Sequence, residues 1–257
     1  ASDCEPTRDG WRNADALALP LRFAAQTARE FGARSVGLIA PYLGYMRQDT
    51  RFHRGEAVST PLFAQFLEEA FDWLVTVDPH LHRVERLQSL YRIPTVHVSA
   101  TPAVARWIAE TVPDAVLIGP DSESEQWVAD IAALSSMPYQ VLAKERHGDY
   151  DVRVSLPDPA AVAGRTPVLI DDIVSSGHTI LETLAHLRRL SLPSPLLVAI
   201  HPVFAGDAYA RLQEAGLARI VSTDTISHPS NAIALGADLA AAASTLMTAS
   251  TDSPEDP

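Results

Sequence analysis

Lysine is almost missing from this chain. Of 257 residues 20 are basic, and Lys144 is the single lysine among them; every other basic residue is arginine. Cysteine is as scarce. Cys4 alone excludes an internal disulfide framework and points to a reducing compartment. No apolar run reaches the ~18 residues of a membrane span, and no secretory leader pattern is recognisable, so the expectation is a cytoplasmic protein with no membrane partner. Positive charge is short as well. With 32 acidic residues the formal net charge is −12, which argues against non-specific nucleic-acid or polybasic membrane contact. Any anionic ligand must be held by a local basic site. Because arginine cannot replace a compact, tunable ammonium, Lys144 is a candidate on composition alone.

What is present is organised around Thr166 to Thr179, T-P-V-L-I-D-D-I-V-S-S-G-H-T. Val168, Leu169 and Ile170 read as a short buried parallel strand. Asp171 and Asp172 follow at its end, and a loop of Ser175, Ser176, Gly177 and His178 closes on Thr179. From Ile180 the apolar spacing turns helical, through Leu184 and Leu187. Hydroxyls and backbone N–H groups at a helix start suit a phosphate, and Gly177 allows close backbone approach. Two carboxylates beside a phosphate must face something else, such as paired ribose hydroxyls or a divalent cation. A plain Ser-capped helix accounts for Ser176 or Thr179, but not for the adjacent carboxylates.

This motif resembles the ribose-5-phosphate-binding signature shared by phosphoribosyltransferases and ribose-phosphate pyrophosphokinases. A second stretch separates the two groups. P-Y-L-G-Y-M-R-Q-D-T-R-F-H-R-G-E-A-V-S-T, from Pro41 onward, resembles a segment that the pyrophosphokinases carry and the transferases do not. Physically it gathers Arg47, Arg51 and Arg54 in an acidic protein, as a polyphosphate requires. Gln48 offers an amide edge to a base such as adenine, and Asp49 can orient the arginines. A solvated, salt-bridged loop remains a serious competitor for Arg51, Arg54 and Glu56. The resemblance implies that Arg47 and Gln48 contact ATP.

Further matches lie along the chain. Val77-Asp78-Pro79-His80 resembles a V-D-x-H whose histidine lies by the ATP phosphates and the metal, which implies that role for His80; Asp78 reads as structural, and His82 and His97 as ordinary histidines. Pro120-Asp121 resembles the start of a metal- and phosphate-binding turn, although Ser122-Glu123-Ser124-Glu125 replaces its glycines; Asp121 is the metal-ligand candidate. Lys144-Glu145-Arg146 falls where the family has a K-x-R at the base of a mobile catalytic loop. Lys144 and Arg146 are therefore expected to neutralise charge developing on the transferred group. His201 is left out of the site, because Ile200 replaces the family's hydroxyl residue. Two departures stand in the central motif: Ser175 replaces a frequent Asp, and His178 a small residue.

Strands and helices alternate throughout, which predicts an α/β fold with mainly parallel sheets covered by helices. The strand signals fall at 35–40, 72–77, 91–98, 115–118, 139–142, 152–156, 168–170, 195–200 and 219–222, with a final helix at 232–247. The resemblance implies two phosphoribosyltransferase-like domains with the active site between them. The expected division is 1–101 for ATP and 102–231 for ribose 5-phosphate, with 232–257 packing back or disordered. The expected activity is a ribose-phosphate diphosphokinase using Mg²⁺, held by ATP oxygens with His80 and Asp121. ATP and ribose 5-phosphate are the expected partners, in a homo-oligomer (a dimer, or a hexamer of dimers). A region that the family carries ahead of the first helix, including part of the adenine pocket, has no counterpart here; either the chain is trimmed or that part of the ATP site is lost. The alternatives are a non-catalytic pyrophosphokinase-like subunit and a phosphoribosyltransferase.

Overall fold

The computed structural model describes residues 14–51, 53–81, 86–142, 144–146, 152–154, 162–189 and 192–251. Cys4, His82, most of the connector at 157–163 and the tail from 252 lie outside the described residues. The chain forms two compact units, Ala1–Ser99 with Gly236–Pro257, and Ala100–Leu235. Among the described residues, no helix is long and apolar enough to cross a membrane.

In the first unit, helix α1 (Ala14–Glu30) runs to Gly32, whose φ of +92° ends it without a side-chain clash. Strand β1 (Gly37–Ala40), helix α2 (Ser59–Glu68), strand β2 (Trp73–Val77) and strand β3 (Thr95–Val98) follow. The three strands are parallel, in the order β1-β2-β3. Ala25 of α1, Ala64 and Leu67 of α2, and Leu38 and Leu74 of the sheet share one core. The C-terminal helix of the chain packs on β2 and β3.

The second unit opens with α3 (Thr101–Thr111), which carries Pro102 in its first turn, where no N–H is needed. It continues through β4 (Ala115–Gly119), α4 (Glu125–Ser135), β5 (Tyr139–Val141), β6 (Lys144–Arg146), β7 (Val152–Val154) and β8 (Thr166–Ile173). Then come α5 (His178–Arg189), β9 (Leu196–His201), α6 (Ala208–Glu214), β10 (Arg219–Thr223), β11 (Asn231–Ile233) and, closing the chain in the first unit, α7 (Gly236–Thr251). Six strands form one parallel sheet, ordered β11-β10-β9-β8-β4-β5. Leu169, Leu197, Ile180, Leu184 and Leu187 are fully or nearly fully buried and seat α5 on the sheet. Burying each such side chain contributes roughly 1.5–3 kcal/mol.

Strand order decides where a ligand can sit. From β4 the chain steps to β5 on one side; from β8 it steps away through β9, β10 and β11 on the other. The direction reverses between β4 and β8. In open parallel sheets the crevice at such a reversal, beyond the carboxyl ends of the strands, is where ligands bind.

Five expectations need correction. The acidic pair lies inside β8 rather than after it, because β9 continues to pair β8 as far as Ile173 with His201. Helix α5 begins at His178, so His178 and Thr179 belong to its first turn. The strand expected from Tyr91 starts only at Thr95; a 3-10 turn, Leu87–Ser89, precedes it. The last helical pattern hides β11, whose three residues are too few to show a period. Lys144–Arg146, read as a loop base, is a strand paired antiparallel with Val152–Val154.

Candidate functional site

In the second unit the crevice is built by β4 and β8. Their pairing ends at Ile118 with Leu169, while β8 runs on alone against β9. Asp171 and Asp172 thus stand on the overhang, and Asp121 follows the end of β4. Burial holds the Asp171 carboxyl well above the usual range, and the charges of Asp172 and Asp121 raise it further. Asp171 thus sits where negative charge from Asp172 and Asp121 is in excess. Such an arrangement favours hydroxyl donors or a cation.

The turn after β4 is closed locally. Ser124 Oγ lies 2.6 Å from the Asp121 carbonyl oxygen, and the Ser124 N–H donates to Asp121 Oδ1 at 3.2 Å. Gly119 has to be glycine for this. A Cβ there would meet Ser124 Oγ at 2.5 Å. Ser122–Ser124 form a 3-10 turn that leads into α4.

After β8 the loop from Val174 to Gly177 is latched to the segment after β9. The Val174 N–H donates to the His201 carbonyl at 3.1 Å. In return, the Phe204 N–H donates to Val174 O at 2.8 Å and the Ala205 N–H to Ser175 O at 3.0 Å. Ser176 is exposed and Gly177 buried. The first-turn N–H groups of α5 lack intrahelical acceptors and, with the helix dipole, favour an anion beside this loop. The His178 ring turns along the helix to Glu182, at 3.2 Å, while the backbone N–H of His178 donates to Ser176 Oγ at 3.4 Å. Gly177 has φ +69°, and a Cβ there would meet Leu212 Cδ1 at 3.0 Å. Left-handed backbone costs a non-glycine residue roughly 1–2 kcal/mol. Gly177→Ala is therefore expected to destabilise the protein by roughly 1–2 kcal/mol. Thermal unfolding checks this.

His201, set aside in the sequence reading, is buried, and its Nδ1 lies 3.0 Å from Thr225 Oγ1. Thr223 and Thr225 hydroxyls both reach the Ile200 carbonyl, at 2.6 and 3.0 Å. These bonds hold the end of β9 and, through it, the latched loop. The sequence offered no signal for them beyond the T-D-T run itself.

In the first unit, Arg47, Gln48 and Asp49 lie on the segment between β1 and α2. Thr60 pins it: its hydroxyl lies 2.8 Å from the Tyr45 carbonyl oxygen and 3.0 Å from that of Gln48, and its N–H donates to Gln48 O at 3.3 Å. The Gln48 side-chain amide donates to Ala57 O at 2.8 Å, which orients it. Arg51 Nε donates to the Glu56 carbonyl at 2.7 Å, in keeping with a self-bonded loop for Arg51 and Glu56. Arg47 is exposed. His80 follows the end of β2, partly buried. Lys144 and Arg146 are the first and last residues of β6, in register with Val154 and Val152 of β7.

Comparison with known proteins agrees in both units. The profile of the phosphoribosyl transferase domain matches residues 98–236, and that of the N-terminal domain of ribose phosphate pyrophosphokinase matches residues 12–70. A ribose-phosphate pyrophosphokinase of Methanopyrus kandleri is 33% identical over 221 residues, 85% of this chain and 75% of that protein. One from Saccharolobus solfataricus is 34% identical, over 81% of this chain and 72% of the relative. The crystal structure of phosphoribosylpyrophosphate synthetase from Mycobacterium smegmatis superposes with a TM-score of 0.74, covering 91% of this chain and 78% of that one; at 24% identity it speaks for the fold.

Proposed function

The chain belongs to the ribose-phosphate pyrophosphokinase family, and on that premise we propose how its residues divide the work. It is a ribose-phosphate pyrophosphokinase, an enzyme of nucleotide biosynthesis that transfers the pyrophosphoryl group of ATP to the C1 hydroxyl of ribose 5-phosphate. The C1 oxygen attacks the β-phosphorus and loses its proton. The bond from that phosphorus to the oxygen of the α-phosphate breaks, and AMP leaves as phosphoribosyl pyrophosphate forms. Such a transfer needs positioning and electrostatics rather than a covalent nucleophile.

The observation that carries the acceptor half is that β8 carries Asp171 and Asp172 past the end of its pairing with β4, at the sheet's reversal and just ahead of α5. Ser175, Ser176, Gly177, His178 and Thr179 hold the 5-phosphate through hydroxyls and backbone N–H groups. Asp171 and Asp172 accept hydrogen bonds from the ribose hydroxyls, which fixes the sugar for attack. On the donor half, Arg47, Gln48, Asp49 and His80 bind ATP, with the guanidinium on the phosphates and the oriented Gln48 amide on the base. Lys144 and Arg146 meet the charge that spreads over the transferred group.

The residues fit Mg²⁺ as a partner of few protein ligands. Among the described residues no three His, Cys, Asp or Glu side chains are arranged as a metal cage. Yet the carboxylate excess that raises Asp171 marks a place for a hard cation, and Mg²⁺ ordinarily takes one or two carboxylates with substrate phosphate oxygens and water. Asp121 is the proposed protein ligand in the second unit, and His80 the one in the first. When bound, Mg²⁺ supplies charge neutralisation and orientation to the polyphosphate. A homo-oligomer is supported by exposed apolar residues of the first unit: Leu19 and Phe23, one turn apart on α1, and Phe31, which is 88% exposed.

The test is incubation with ribose 5-phosphate, Mg²⁺ and ATP labelled at the β-phosphorus. Label is expected on the sugar product. Label remaining on adenine nucleotide would sink the reading, and ribose 5-phosphate binding that survived would then favour a non-catalytic subunit.

A further inference from the structure

Asp78 is tightly constrained. It is fully buried, and its φ of +32° lies in the left-handed region, uncommon for any residue but glycine. Backbone strain of this kind persists only where the surroundings over-determine it. Here they do. The Asp78 N–H donates to the Val98 carbonyl at 3.1 Å, and the Asp78 carboxylate meets His97 Nε2 at 2.7 Å. Both grips come from β3. From the other side, the preceding N–H of Val77 donates to the Pro41 carbonyl at 3.1 Å. The bend at the end of β2 is thus tied to β3 and to the start of the segment that bears Arg47, Gln48 and Asp49.

The register explains why His97 reaches. It stands opposite Thr76 in the β2-β3 ladder. Asp78 lies just past the end of β2, within reach of an imidazole-length side chain on the partner strand. A buried carboxylate without such a partner is costly. The strained bend leads directly through Pro79, which stiffens the path, to His80.

We propose that His97 is a positioning residue for the donor half of the reaction: by holding the Asp78 carboxylate it maintains the strained bend that aims His80, and keeps that bend in step with the Arg47–Asp49 segment. His97 itself touches no substrate. Its side chain is 39% exposed, so it lies at the rim rather than in the core. This inference rests on the ATP-side role given above to His80.

The experiment compares His97→Leu, His97→Gln and His80→Ala in the full chain, by kinetics in each substrate and by thermal unfolding. Glutamine places an amide nitrogen near the position of Nε2 and can still donate to Asp78; leucine cannot. His97→Leu is expected to raise the KM for ATP by about tenfold or more, the range found when groups that orient a ligand-binding residue are removed. The KM for ribose 5-phosphate stays near wild type, and His97→Gln recovers most of the ATP effect. A purely structural residue would shift the melting temperature and both KM values together, and would not show this split. If His80→Ala impairs ATP use while His97→Leu leaves it at the wild-type level, the inference is overturned and the site reading stands. If His80→Ala leaves ATP use untouched, the donor-side reading fails and the inference with it. Should His97→Leu not fold, His97→Asn, too short to reach Asp78, takes its place; equal changes in both KM values would again overturn the inference.

Discussion

Lys144→Ala is expected to lower kcat about 10²–10³-fold, the cost of removing one preorganised charge partner from a transition state, or ~3–4 kcal/mol. KM values for ATP and ribose 5-phosphate should change little, because the charge it meets grows only as the pyrophosphoryl group moves. The chemistry demands this residue type. An ammonium is a compact point charge that follows a moving phosphoryl oxygen, whereas a guanidinium is a rigid planar fork. Lys144→Arg, which keeps the charge, is therefore expected to remain impaired at least about tenfold, a difference of ~1.4 kcal/mol. In a chain that uses arginine for every other cation, the contrast between the two variants is direct. Single-turnover rates with both substrates saturating are the measurement. Wild-type turnover in Lys144→Ala would remove the role assigned here to the lone lysine.

Asp171→Asn is expected to do two opposite things. In the folded chain burial and the neighbouring Asp172 and Asp121 charges make Asp171 hold its proton to a higher pH than its unfolded value of 3.8. The stability linked to that proton is fully present below the unfolded pKa, and it is lost as pH rises through the higher folded one. Above that unfolded value the buried carboxyl therefore works against the ligand-free fold. Replacing it with the neutral amide should stabilise the protein by roughly 0.5–2 kcal/mol, the usual gain when a strained functional group is relieved. The advantage over wild type should shrink as pH falls towards the unfolded value, where Asp171 is protonated anyway. Ribose 5-phosphate affinity should fall, since the amide leaves one fewer oxygen to accept the sugar hydroxyls. Added Mg²⁺ should raise the melting temperature of the wild type more than that of the variant, because less negative charge is left to neutralise. Thermal unfolding across pH, with and without Mg²⁺, and calorimetric titration with ribose 5-phosphate check each part. A variant that binds the sugar phosphate like wild type, or melts earlier at neutral pH, contradicts the role given to Asp171.

Much of the site was legible because its signals are local. An apolar strand, two carboxylates and a hydroxyl-rich turn are written in consecutive residues, and so is the arginine-rich segment after Pro41. The α/β alternation was legible for the same reason, since each strand or helix carries its own period. Misreadings fell where pairing partners decide. Asp171 and Asp172 extend a strand only because β9 is there to pair with them. Lys144–Arg146 is a strand only because Val152–Val154 folds back onto it. His97 looked like an ordinary histidine, for nothing in T-V-H-V shows that a buried carboxylate waits on the neighbouring strand.

By itself, the sequence determined which chemistries this protein can offer: hydroxyls and glycine for a phosphate, adjacent acids for sugar hydroxyls or a cation, clustered arginines for a polyphosphate, and one lysine. Those follow from residue type and spacing along the chain. Only the tertiary structure decided that Asp121 stands beside Asp171 and Asp172, because that neighbourhood depends on β8 returning to the side of β4 away from β5. The order of strands in a sheet is chosen by how the connecting helices pack, through contacts far apart in the chain, and no local pattern encodes it.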